Sequence, residues 1–585
     1  MPDTLEIGIQ DRPSFDDAVG ADRNVIQKHL QWTGLGRFLQ ERLSPKHEVL
    51  ERLVAFQMGI GADRVKVRPK QPWLLGGFNV AVAMLIDGGR RPDRTSDAND
   101  AKNAGDVSDA TGAAAGSATA TKSVPDVLVR CPLPSKCAEH VYPGSIEEKM
   151  RGEVAAYVWM QRHCPDVRIP FLYGFAFPGG QHFAHCSRVP FLRRAWLRVR
   201  QFVAARLHRP VPSDYLPLSV PSSVFSLPAS VSLQQKPGPV EFGYMILEFL
   251  HPSLGRQLPY VIRNRNLQDE LQNTPGKVDN LFRSVGRIML ALARVPQPRI
   301  GSLSFHDDGT VALDHRPLCC DMILLENEGA PRTMGPTQTY LSESAFVADL
   351  LAFHDAQFLA APNAAHDQAD FVSQTDIRAF FRAIVHHFLP DTETDGARPY
   401  VLQFTDDNAA NMMVDDDWNV TAIFDLEWLI AGPIDMLAAP RWLTWTSIDC
   451  IIDNGYDEYD QLRRYFMQLF RDEEEKAATT AVLQHTQDNH RHSASKRHPL
   501  ADAMQDNWAT ERLWIYRAAM SVNALHHVVR DRLVPLFYRK QPLPNDLYRS
   551  WHPAVEEILE AKLRDRRAYV GDLARLYGRE PPPEE

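Results

Sequence analysis

The residues best suited to chemistry in this chain lie at 400–428, YVLQFTDDNAANMMVDDDWNVTAIFDLEW. Asp406, Asp407, Asn408 and Asn411 precede one apolar run at 412–414, and Asp425 and Glu427 follow a second at 420–424. Both runs are short and partly β-branched, which suits buried strands. The residues between them, 415–419, accept turn geometry. A hairpin centred near Trp418 predicts Asn411 opposite Asp425, an amide oxygen beside a carboxylate. Oxygen ligands of that kind suit a hard cation such as Mg²⁺, whose other positions go to water or phosphate. Acidic residues around a turn also occur as a plain solvated loop. An EF-hand does not fit, because no glycine follows the acidic cluster at the required spacing. Asp425 and Glu427 differ from loop acids in one respect: they interrupt an apolar stretch, 422–430. A carboxylate there must be paired, metal-bound or protonated.

The pattern T-D-x-x-x-x-N-x-x-V-D, then W-N-x-T-x-x-x-D-L-E-W, resembles the catalytic segment of aminoglycoside phosphotransferase and choline-kinase-like proteins, above all their large fungal branch. The stretch IGSLSFHDDGTVAL at 300–313, followed by RPL, is similar to the same branch. The resemblance implies a protein-kinase-like fold and transfer of the γ-phosphate of ATP to a hydroxyl of a small molecule. It implies that Asp406 is the catalytic-loop aspartate and that Asn411 and Asp425 hold Mg²⁺. Three positions depart from the family pattern. Phe404 stands where many members have histidine, and Asp407 and Asn408 replace a frequent leucine and histidine. A second carboxylate beside Asp406 would raise one pKa of the pair or recruit another cation. These departures also fit a pseudokinase, a scaffold or regulator that keeps the fold without turnover.

Other elements must position such a site. Gly76 and Gly77 separate two β-type runs, either as an ordinary hairpin turn or as a turn whose backbone N–H groups hold phosphate oxygens, as the family's order of elements implies. Arg130 lies on the β-type run 126–132 and takes the place of the family's nucleotide-binding cation, usually lysine. The helix predicted at 145–163 has Ser145 as its cap, and acidic residues in its first turn favour the helix dipole. Glu153 lies at the edge of its apolar stripe, where family order implies a pair with Arg130. The run 243–250 falls where kinase-like folds cross between lobes, which makes Glu248 and Leu250 candidates for backbone contacts with adenine. The expected architecture is α+β and two-lobed. A polar N-terminal tail, 1–25, precedes a small β-rich lobe at 26–250 with insertions at about 91–124 and 178–240. A mainly helical lobe follows at 251–578, then a tail at 579–585.

The remaining features set bounds. The chain has 585 residues, 44% of them hydrophobic, enough for a sizeable core. Its net charge of −10 argues against a nucleic-acid partner held by phosphate neutralisation. Seven scattered cysteines fit a reducing compartment better than a disulfide framework. With no signal-peptide pattern and no transmembrane run, the expectation is an intracellular, cytoplasmic protein. The segment 92–123 is rich in small and polar residues and is expected to be disordered. Residues 1–25 are expected to be poorly ordered, and 473–496 to be a solvated loop. The basic piece FLRRAWLRVRQFVAARLHRPVP reads as a surface helix with a solvated basic face, or as one lying on a membrane or an anionic partner. His354, His386 and His387 read as packing residues.

Overall fold

The computed structural model describes residues 4–8, 11–69, 73–87, 126–225, 240–262, 265–389, 399–485, 499–539, 541–544 and 546–581. The segment 92–123 lies outside them. Eight strands form one antiparallel sheet: β1 (Val65–Val67), β2 (Trp73–Leu75), β3 (Asn79–Ile86), β4 (Val127–Pro132), β5 (Leu172–Ala176), β6 (His182–His185), β7 (Tyr215–Leu218) and β8 (Tyr244–Glu248). Their order is β1-β3-β4-β8-β5-β6-β7, and β2 also pairs with β3. The sequence of β3, NVAVAMLI, is apolar almost throughout because both faces of the sheet are covered. On one face lie the helices α2 (Val25–Arg37) and α3 (His47–Met58), where Leu50, Leu53 and Val54 meet Val82, Val129 and Ile246. On the other lies α4 (Ser145–His163), where Met150, Val154 and Tyr157 share a core with Met245 and Leu247. Side chains alternate along a strand, so Val127, Val129 and Cys131 face α3 and turn Arg130 towards α4.

Helix α4 spans the predicted residues but is not capped by Ser145. Its N-cap is Gly144, at φ +95°. The carboxylate of Glu139 accepts from the N–H groups of Gly144 and Ile146 at 2.9 and 2.8 Å, which frees Ser145 to donate to the Tyr142 carbonyl. Within the insertion expected at 178–240, the described residues, 178–225 and 240, are built into the fold. They supply β6 and β7 as the outer sheet strands and a long helix, α5 (Phe191–Arg206), which packs on them through Leu197. The described N-terminal residues, 4–8 and 11–25, are also packed rather than a loose tail. A capping box at Ser14 and Asp17 starts α1 (Phe15–Gly20), and Leu5, Ala18 and Val25 pack on Tyr569, Leu573 and Tyr577 of the last helix.

The second half is mainly helical around two small antiparallel sheets. One has the order β11-β10-β15-β12, from β10 (Gly301–Phe305), β11 (Val311–His315), β12 (Tyr400–Phe404) and β15 (Leu429–Pro433). The other joins β14 (Val420–Ile423), β13 (Met412–Val414) and β9 (Arg256–Gln257). Residues 473–485 belong to the helix Tyr456–His485 and not to a loop. Glu473 pairs with Arg283 at 2.9 Å, and Glu474 caps the next helix by accepting from the N–H of Leu500 and Ala501. His354 is buried, with Nε2 2.7 Å from the Ala519 carbonyl, and burial pushes its pKa down to about 4, so it packs as a neutral ring. No helix among the described residues is long and apolar enough to cross a membrane.

The two halves are locked together beneath α4 by charge. Arg316, fully buried, bridges Glu148 at 2.8 Å and Glu326, while Arg332 contacts both carboxylates and His315 lies 3.2 Å from Glu148. Burial pushes the Glu148 carboxyl up. Hydrogen bonds from His315 and Arg316, together with the charges of Arg316 and Arg332, outweigh burial and hold it at about 2. A carboxyl depressed in the folded state contributes stability above its unfolded pKa and loses it as pH falls towards the folded one. Stability is therefore expected to drop between about pH 4.5 and about 2, and Glu148→Gln should flatten that limb in acid-denaturation curves.

Candidate functional site

Three carboxylates converge where α4, β4 and the segment after β14 meet. Arg130 Nε lies 2.8 Å from Glu153, and its terminal nitrogen contacts both Asp425 and Glu427, the latter at 3.1 Å. The Arg130–Glu153 approach is an ion pair without good hydrogen-bond alignment. Lys149, one turn before Glu153, pairs with Glu153 at 3.2 Å and with Glu427. The Asn79 amide completes the cluster: its NH₂ donates to Glu427 at 3.1 Å and its oxygen accepts from Lys149 at 3.2 Å. Oxygens of Glu153, Asp425 and Glu427 come close enough to hold a metal ion, but the two cations sit among them. The balance is three negative charges against two positive. Glu427 is accordingly pushed up, by burial first and then by Asp425, while Lys149 is held charged by Glu427 and Glu153 against its burial.

The segment carrying Asp425 is not a strand. Residues 424–428 are irregular, and Asp425 and Trp428 both take left-handed backbone, φ +62° and +63°. Non-glycine residues hold that conformation at a cost of about 1 kcal/mol or more each, where the surroundings enforce it. Here the surroundings are the ion cluster and Trp428. Trp428 packs edge-on against Phe78, with Lys149 over its ring at 5.6 Å, and its carbonyl accepts from the N–H and hydroxyl of Thr405. The loop of Asp406 and the loop of Asp425 are thus tied by two hydrogen bonds.

The hairpin pairs Met412 with Ile423, and the Phe424 N–H donates to the Asn411 carbonyl at 3.0 Å. Asn411 therefore lies opposite Phe424, one residue short of the predicted Asp425. The turn 415–419 is centred on Asp417 rather than Trp418, as the pairing of Val414 with Val420 requires, and the register shift between Met413 and Val414 restores one of the two residues lost. Asn411 and Asp425 nevertheless line one cavity, of about 170 Å³, together with Asp406. The Asn411 side-chain amide makes no hydrogen bond among the described residues, whereas Asp425 is engaged by Arg130. An amide oxygen and a carboxylate on one wall are hard donors that fit Mg²⁺, provided Arg130 yields an Asp425 oxygen.

Asp406 is about one-third exposed at the cavity. Burial raises its pKa above the ordinary carboxylate range, Arg441 opposes that, and Asp407, Glu427 and Asp321 add to it. Asp407 has recruited a cation. Its two oxygens accept from Arg441 Nε and the Arg441 backbone N–H, each at 2.8 Å, and the Arg441 guanidinium reaches within 4.0 Å of Asp406. Asn408 caps the short turn of 409–411 by accepting from the Ala410 N–H at 2.9 Å. Arg517 also lines the cavity and makes no hydrogen bond or ion pair among the described residues. The rest of the wall is largely apolar, from Val285, Met289, Leu402, Met412 and Trp442.

The turn of Gly76 and Gly77 joins β2 to β3 above this cluster. Neither glycine has positive φ; a Cβ at Gly76 would make a tight 3.3 Å contact with the Asn79 carbonyl, one at Gly77 would meet open space, and the Gly76 N–H is already donated to that carbonyl at 2.8 Å. Of the expected interlobe contacts, the Glu248 N–H is already donated to the Phe171 carbonyl at 2.9 Å, and its carboxylate pairs with Arg168 at 2.7 Å. That removes Glu248 as a free N–H donor and leaves Leu250, whose N–H and carbonyl enter no backbone hydrogen bond among the described residues. Lys149, Asn79, Arg441 and Arg517 were not singled out in the sequence. Lys149 carried a signal, as a charge at i−4 from Glu153 on the apolar stripe of α4. No family model matches the chain, and neither a curated protein nor a solved structure matches it.

Proposed function

We propose that the chain is an ATP- and Mg²⁺-dependent phosphotransferase with a protein-kinase-like fold, akin to aminoglycoside phosphotransferases and choline kinases, acting on a hydroxyl of a small molecule. The observation that carries this reading is Arg130 joining Glu153 of α4 to Asp425. A strand cation, a helix glutamate and a loop aspartate in contact are the parts that kinase-type phosphoryl transfer requires, and Asp406 lines the cavity that Asp425 also lines. In this reading Asp406 accepts the proton of the acceptor hydroxyl as its oxygen bonds to the γ-phosphorus and ADP departs. Mg²⁺ held by Asn411 and Asp425 would neutralise phosphate charge. Arg130, released from Asp425, turns to the phosphates while Glu153 keeps its position, and Leu250 offers backbone groups to adenine. Such an enzyme with unpaired cysteines fits the cytoplasm.

Mg-ATP is expected to raise the melting temperature, and Asp425→Ala to remove that rise. No stabilisation of the wild-type protein would count against nucleotide binding. The acid limb of the rate should lie above the ordinary carboxylate range, because Asp406 works deprotonated and burial raises its pKa. Arg441→Gln removes the opposing charge, so the limb should move to higher pH in kcat–pH profiles.

One observation favours a second reading, a pseudokinase that keeps the fold as a scaffold or regulator. Arg130 and Lys149 already satisfy the carboxylates that a metal and nucleotide would engage. Stabilisation by Mg-ATP without turnover of any hydroxylated amine or sugar would select it.

A further inference from the structure

Helix α5 carries an apolar face turned to solvent. It is anchored to the outer strands of the first sheet by Leu197, by the Arg193 guanidinium on the Pro217 carbonyl and by Gln201 and Arg198 on Asp214. On the side away from that anchor Phe191 is 72% exposed, Leu192 79%, Trp196 63% and Phe202 61%, with Val199 and Val203 about half exposed. At about 100° per residue these six fall within one arc of about 140°. From Phe191 to Val203 the strip spans about 18 Å at 1.5 Å per residue, and Arg206 ends it, with its guanidinium over the Phe202 ring. An unbroken apolar strip of that size on a surface marks something that covers it.

The flanks say what. Residues 191–209 hold six arginines and no acidic residue, in a chain whose net charge is −10. Arg193 and Arg200 border the strip on one side and Arg194 and Arg198 on the other, and Arg194, Arg200, Arg206 and Arg209 make no ion pair among the described residues. Apolar and aromatic side chains in the centre with arginines along both edges match a helix lying in a lipid headgroup layer, rings down and guanidinium groups on phosphates. A second copy is a poorer occupant, since two such strips face to face would bring like-charged arginine rows together. We propose that α5 docks this protein on anionic membrane surfaces, as a peripheral contact that does not depend on the phosphotransferase reading.

The test is flotation of the full-length protein with vesicles of phosphatidylcholine alone and of phosphatidylcholine with phosphatidylserine. Binding is expected to the anionic vesicles, to weaken with added salt, and to fall at least about tenfold in Trp196→Glu/Phe202→Glu. The substituted side chains are exposed, so the fold is retained, and an unchanged melting curve checks this. Arg194→Glu/Arg200→Glu should lose the preference for anionic lipid. Absence of flotation, equal binding by Trp196→Glu/Phe202→Glu, or equal binding to neutral vesicles would overturn the proposal. So would a wild-type dimer in light scattering that becomes monomeric in Trp196→Glu/Phe202→Glu, because a second copy would then own the strip.

Discussion

Asp406→Asn is expected to lower kcat by about 10²- to 10⁴-fold, the usual contribution of a positioned general base, while leaving the melting temperature within a degree or two. The separation of the two effects follows from the site. Asp406 is about one-third exposed and among the described residues its only ion pair is the long 4.0 Å approach of Arg441, so its removal leaves no buried partner stranded. Asp407 behaves oppositely. It holds Arg441 through both oxygens, so Asp407→Asn should disturb the loop and shift the acid limb as well as slow the reaction. Steady-state rates and melting curves on the two variants distinguish an acting carboxylate from a positioning one.

Lys149→Ala is expected to be the most destabilising single change, by about 3–5 kcal/mol. Lys149 is buried, and its ammonium faces Glu427, Glu153 and the Asn79 oxygen. Without it three carboxylates share the single charge of Arg130, at depths where an uncompensated charge costs far more than a surface pair returns. Glu427→Gln in the same chain should recover part of the loss, because it removes one of the surplus negative charges. Denaturant unfolding of the single and double variants measures this. Additive losses would show that the two residues are not coupled.

Legibility of the sequence varied with the kind of information required. The helix 145–163 and the hairpin of β10 and β11 were legible because periodicity and turn residues report local structure directly. The Arg130–Glu153 contact was reached only through the resemblance, since residues so far apart in sequence carry no local sign of meeting. Asn411 lies one residue from its expected register because the turn centres on Asp417, and five consecutive turn-accepting residues, 415–419, do not mark which of them is the centre. Lys149 is not singled out by the sequence reading, although its partner Glu153 lies one turn on and on the same face. The N-terminal residues looked polar and loose, but Ala18 and Val25 find their apolar surface on a helix more than five hundred residues later, an association composition cannot show. The polar residues from Glu473 on look like a loop, yet they continue a long helix because their charges find partners in Arg283 and in the N-terminus of the following helix.

Whether Asp406, Asn411, Asp425 and Arg130 form one phosphoryl-transfer site is decided by phosphorus NMR of Mg-ATP incubated with the full chain and a panel of hydroxylated amines and sugars. A new phosphomonoester resonance is expected to grow in step with ADP for at least one acceptor, and to be absent in Asp406→Asn and in Asp425→Ala. ATP unchanged across the panel, or a product formed equally by the wild type and Asp406→Asn, would contradict that assignment.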